Sequence, residues 1–177
     1  HPLRSFADPE RAASSFAGTW CAVDGDAKAV AALEALVRAT GGLPFAVRTE
    51  RKALYHAGAV FASNYVVALL EAALRLFEEA GVPRETGLRA LAGLAEGTLE
   101  NVKAVGIPGA LTGPVERGDA GTLKRHAEAL AARAPGLSAL YGALGGLTVE
   151  LALAKGSIGH EAADRERRAL GTEAARR

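Results

Sequence analysis

Lys52, His56 and Ser63 are the residues of this chain whose types and spacing could do chemistry. They stand four and seven residues apart, which places them on one stripe of a helix, with Asn64 in the adjacent sector. A basic group, an imidazole that titrates near neutral pH, a hydroxyl and an amide could line one small polar pocket. Proton exchange with a bound small molecule is the chemistry that suits such a set. The structural alternative has His56 bonded to a carbonyl, Asn64 bridging two helices and Lys52 solvated. A second stretch, LTGPVERGD at 111–119, offers the Thr112 hydroxyl and glycines that let backbone approach a ligand. Its Arg117 could clamp a carboxylate or phosphate. The same stretch can serve as a plain connector, with Asp119 capping the helix that follows.

The element that must position the first set is the run 51–80, RKALYHAGAVFASNYVVALLEAALRLFEEA, which has no proline and one glycine, Gly58. It reads as a single continuous helix, about 45 Å long at the α-helical rise. Leu54, Phe61, Ala68 and Ala72 line one side, and Val60, Val67, Leu70, Leu74 and Phe77 another. A helix apolar on several sides is ordinarily buried by its neighbours. A membrane span is disfavoured, because the charge-free run 57–70 is short for that, carries Ser63 and Asn64, and ends at Glu71. The expectation is a central core helix.

The remaining elements frame it. Residues 19–23 read as a buried strand ended by the turn Asp24-Gly25-Asp26, with Asp26 able to cap a helix over 27–40. The core face of that helix is expected at Val30, Leu33, Leu36 and Val37. Gly41-Gly42 stops it, and 43–47 resumes an extended segment, so strand, helix and strand make a βαβ unit. Downstream, Gly81 and Pro83 separate the central helix from one over 84–105, with Leu88, Leu91, Ala95, Thr98 and Val102 on its core face. A glycine- and proline-rich loop leads to a shorter helix carrying Leu123, Ala127 and Leu130. The last core helix presents Leu137, Leu140, Leu144, Leu147 and Leu151. Its Gly142, Gly145 and Gly146 are costly unless another backbone packs on them. From Gly156 the chain is charged and nearly core-free, a solvated or frayed tail.

Composition narrows the function. In 177 residues the apolar share is 49% and the aromatic share 5%, so alanine, leucine and glycine fill the core. A net charge of +1 leaves no electrostatic footprint for nucleic acid. The lone Cys21 excludes an internal disulfide and fits a reducing compartment, and neither signal peptide nor lipid motif occurs, so a cytoplasmic protein is expected. Scattered histidines exclude a plausible metal site. Neither G-x-G-x-x-G nor a Walker loop occurs, and Ser63 with His56 lacks the acid partner of a hydrolase. The chain has no methionine and opens on HPLRSF, which reads as a piece of a longer product.

The segments HPLRSFADPE, KALYHAGAVFASNYVVALL and ALTGPVERGD, in this order, resemble the Rossmann-like oxidoreductases that end in domain of unknown function 2520. More distantly, the helical part is similar to the C-terminal domains of pyrroline-5-carboxylate reductase and of the 6-phosphogluconate and β-hydroxyacid dehydrogenases. The resemblance implies a mainly α fold, a helical bundle of the 6-phosphogluconate dehydrogenase C-terminal type around one long central helix, preceded by a short βαβ remnant of a Rossmann domain. It divides the chain into 1–48, the closing part of an otherwise absent cofactor domain; 49–155, a helical substrate and dimerisation domain; and 156–177, a charged tail. It implies NADP or NAD, bound mainly by the absent domain, and a homodimer acting on a small carbonyl, imine or alcohol. His56 or Lys52 would exchange the proton, Ser63 and Asn64 would orient the substrate, and Thr112 and Arg117 would hold its polar end. In the β-hydroxyacid dehydrogenases an asparagine stands one turn after the lysine. Here that place is taken by His56. The alternative is a helical module without catalysis, for dimerisation or ligand binding.

Overall fold

The computed structural model describes residues 1–172. The chain forms two compact units, His1–Leu69 and a second beginning at Leu70. In the first, β1 (Trp20–Val23) and β2 (Leu43–Ala46) pair in parallel, with Trp20 opposite Leu43 and Val23 opposite Ala46. Between them runs α2 (Ala27–Ala39), capped by the Asp26 carboxylate on the Ala29 amide. The βαβ unit expected from the alternation is present. On its other edge β1 is met by the opening residues running antiparallel: Leu3 donates to the Trp20 carbonyl at 2.7 Å and Ala22 to that of His1 at 2.9 Å. A short helix α1 (Pro9–Ser14), capped by Asp8, leads back toward β1.

Cys21, Ala22 and Val23 of β1 are buried together with Ala12. The face of α2 that meets the strands is narrower than the expected one. Val30 and Val37 are partly covered, whereas Leu33 and Leu36 are exposed. Val37 approaches so closely that a Cβ on Gly42 would lie 2.9 Å from its methyl. Gly42, in the turn that leads into β2, leaves the room that Val37 takes.

The run expected as one helix is helical but interrupted. α3 (Lys52–Ala62) ends at Ser63, whose φ of −128° and ψ of −78° are non-helical, and α4 (Asn64–Glu79) begins directly after it. Neither proline nor glycine forces this. Ser63 is a weak helix former whose carbonyl accepts from the Val66 and Val67 amides, restarting the helix. The expectation of a core helix is corrected too. Leu54, Phe61 and Val67 are 67%, 63% and 69% exposed, and burial begins only toward Leu74. Thr49–Glu79 and Pro135–Lys155 are long and apolar enough to cross a membrane by length and composition.

The second unit is a helical bundle. The C-terminal half of α4 packs against α5 (Arg84–Ala110), where a Cβ on Gly87 would come within 2.9 Å of Leu74. Arg84 ties the two helices, bonding Glu71 at 2.7 Å and Glu78 at 2.9 Å. α5 outruns its expected end, breaking at Gly106 (φ 76°) and adding a turn that contains Pro108. Then come α6 (Ala120–Arg133), capped by Asp119 on the Thr122 amide, and α7 (Ser138–Lys155).

The charged tail is not core-free. Residues 160–170 form α8 (His160–Leu170), and Ile158, Ala163 and Leu170 join Val115, Leu123, Val149 and Ala152 in one buried cluster. Residues 173–177 of the expected tail lie outside the described part. α8 also explains the glycines of α7. A Cβ on Gly142 would lie 3.1 Å from the Leu170 carbonyl, and one on Gly145 2.7 Å from the Leu170 side chain. This close approach turns the expected leucine stripe outward: Leu140, Leu144 and Leu147 are exposed, while Gly142, Val149 and Ala152 are buried.

Candidate functional site

The interruption at Ser63 presents the polar residues of α3 and α4 to the opening strand-like segment. His56, Ser63 and Asn64 line one groove of about 440 Å³ together with His1, Arg4 and Ser5. Among its lining residues are one guanidinium, two imidazoles, two hydroxyls and an amide, and no carboxylate. Arg4 is held from behind, donating to the Ser15 carbonyl at 2.6 Å and to Thr19 Oγ1 at 3.2 Å.

Lys52 opens onto an adjoining cavity of about 280 Å³, lined by His1, Ala22, Asp24, Val47, Lys52, Ala53, Tyr55 and His56. Asp24 follows β1 and Val47 follows β2, so this cavity lies at the carboxyl ends of the parallel strands, where open α/β sheets place their ligands. The Lys52 ammonium is 3.1 Å from both Asp24 oxygens. His1 and His56 line both cavities and face each other edge to face at 5.8 Å. The Tyr55 hydroxyl lies 2.9 Å from His1 Nδ1, donating to it in the tautomer protonated at Nε2. Burial and the nearby Cys21 push the Tyr55 phenol above its usual range, so it stays a neutral donor. Phe45 braces Tyr55 at 5.9 Å, and Trp20 braces Phe45 at 6.1 Å.

The residues the sequence reading missed are His1, Arg4, Ser5, Asp24 and Tyr55. HPLRSF was visible as an unusual stretch, yet nothing in its local pattern signals that it pairs with β1. Thr112 and Arg117 belong to the second unit, both exposed on the loop between α5 and α6. That loop is anchored by Lys155, which donates to the Leu111 carbonyl at 2.9 Å and to Glu116 at 3.0 Å. Asp119 at its end accepts from the Thr122 hydroxyl and amide, which hold its carboxyl below the usual range.

No group of three metal-binding side chains occurs among the described residues. The β1–α2 turn carries Asp24 and Asp26, and the Asp26 carboxylate occupies the start of α2. A phosphate at that helix start would meet the Asp26 carboxylate where a glycine-rich turn offers bare amides, while Asp24 is paired with Lys52.

No curated protein matches the chain. Among solved structures, the crystal structure of protein TM1727 from Thermotoga maritima is similar, with a TM-score of 0.78 at 27% identity over 88% of this chain. The match spans 61% of the TM1727 chain. A family model, domain of unknown function 2520 (DUF2520), matches residues 19–148, and the chain belongs to that family.

Proposed function

We propose that this chain is the substrate side of an NAD(P)-dependent oxidoreductase acting on a small carbonyl, imine or alcohol. The observation that carries the reading is the convergence of His56, Ser63 and Asn64 on one groove, beside a second cavity at the carboxyl ends of β1 and β2. The acidic β1–α2 turn argues that the cofactor's phosphates are held by residues outside this chain. Of the two candidates for proton exchange, His56 is favoured. It reaches both cavities, and an imidazole gives and takes a proton near neutral pH. Lys52, ion-paired to Asp24, is better suited to holding a charge in place. Ser63 and Asn64 would orient the substrate in the groove they share with His56.

The test joins this chain to the cofactor-binding domain that the proposal calls for and follows NADPH oxidation with a panel of small carbonyls and cyclic imines. His56→Ala should lower turnover by about 10²–10⁴-fold and leave NADPH affinity, read by calorimetry, unchanged. This chain alone should not bind NADPH. Turnover within twofold of wild type would reduce His56 to a packing residue, and micromolar NADPH binding by this chain would misplace the cofactor.

A second reading, a helical association module, is favoured by the exposure of Leu54, Phe61 and Val67. The two readings are compatible, because none of Leu54, Phe61 and Val67 lines the groove.

A further inference from the structure

Glu166 is the least accommodated group in the second unit. It has no exposed surface, and neither carboxylate oxygen has a hydrogen-bond partner among the described residues. On α8 it falls between Ala163 and Leu170, three and four residues away, both members of the buried cluster. The helix therefore turns this carboxyl onto the face that packs against α6 and α7.

The groove between α6 and α8 carries Lys124 and Glu128 on one side and Arg165 and Arg168 on the other. Asp119 at the cap of α6 opposes its ionisation and Arg165 on its own helix favours it. On α6, His126 is bonded to Tyr141 of α7 at 2.8 Å. At the far end of α7, Lys155 is bonded to Glu116 and the Leu111 carbonyl. An ionised carboxylate without a partner in such a core is far costlier than the neutral acid.

We propose that Glu166 is a proton-operated latch on α8: neutral, it lets α8 close over the α6–α7 core, and loss of its proton releases the helix. Burial raises the carboxyl above the ordinary glutamate value of 4.5, which agrees with the geometry. The sign follows. The released helix gives up its proton once pH passes about 4.5, whereas the closed one retains it, so closure weakens as pH rises through the window between the two values. Within that window one proton leaves per opening, and the opening constant rises about tenfold per pH unit. Release would uncover Gly142 and Gly145 of α7, which α8 now covers.

The test is hydrogen exchange at the amides of α8 and α5 in the wild-type chain and in Glu166→Gln, corrected for base catalysis. The expected result is opening of α8 that climbs with pH in the wild type and stays level in the variant, with α5 level in both. A level wild-type profile, or the same climb in Glu166→Gln, overturns the latch. A climb shared by α5 also overturns it, since the event would then be unfolding of the whole unit. Should the variant not fold, a carbon-detected titration of the wild-type Glu166 carboxyl decides: a midpoint above 4.5 supports the proposal and one at or below it overturns it.

Discussion

At the scale of the residue, partners decide which groups are available. Lys52 and His56 looked alike as proton carriers on one helical stripe, but Lys52 has Asp24 at 3.1 Å while His56 opens onto two cavities. Asp119 shows the same logic in a structural role. Its carboxyl is held below the usual value of 3.8, first by the Thr122 hydroxyl and then by the Thr122 amide. A lowered folded-state value means stability that is present above the unfolded value and lost as pH falls through the folded one. Thr122→Val removes the hydroxyl, so its deficit in thermal midpoint should be full at neutral pH and shrink below about pH 3.8 as Asp119 protonates in both proteins. A deficit that does not vary with pH would assign the effect to packing alone.

At the scale of the element, glycines show what neighbours dictate. Gly97 and Gly142 both sit in helices, where alanine is intrinsically better by about 1 kcal/mol. A Cβ on Gly97 would meet nothing within 4 Å, whereas one on Gly142 would press on the Leu170 carbonyl at 3.1 Å. Gly97→Ala should therefore stabilise by about 0.5–1 kcal/mol, and Gly142→Ala should destabilise despite the same intrinsic gain. Urea unfolding of both variants checks the pair. Equal signs would mean that α8 can shift to admit the extra methyl at little cost. The interruption at Ser63 is the other case in which a short element matters, since it seats Ser63 and Asn64 over the groove with His56.

At the scale of the whole molecule, the exposed apolar residues of α3 and early α4 call for a partner surface. Soluble monomers seldom leave so contiguous an apolar face uncovered. A twofold pairing is the commonest solution for a self-complementary patch, and we propose a homodimer through these helices burying roughly 2,000 Å² or more. The glycine face of α7, which also suggested close pairing, is taken by α8 within the chain. Phe61→Asp with Val67→Asp should convert the protein from dimer to monomer in light scattering at tens of micromolar. A wild-type protein that is already monomeric would sink the dimer. Partition of the wild-type chain into vesicles would assign the face to a lipid surface.

Sequence by itself determined the parts that depend on local chemistry. The βαβ alternation, the caps at Asp26 and Asp119, and the mainly helical remainder were all legible, because hydrophobic period and capping act within a few residues. The stripe of Lys52, His56 and Ser63, with Asn64 beside it, was legible for the same reason, and the fold kept all but Lys52 on one groove. Tertiary structure decided which side of each helix is buried. Leu33, Leu140, Leu144 and Leu147 are large and apolar, yet Val37, Gly142 and Ala152 took the inner positions. Small or stiff side chains let backbones approach, and that preference depends on the opposing element rather than on the helix's own pattern. Only the fold could bring HPLRSF beside β1 and set His1, Arg4 and Ser5 against His56. Those contacts span some 50 residues of chain, and no local period encodes them.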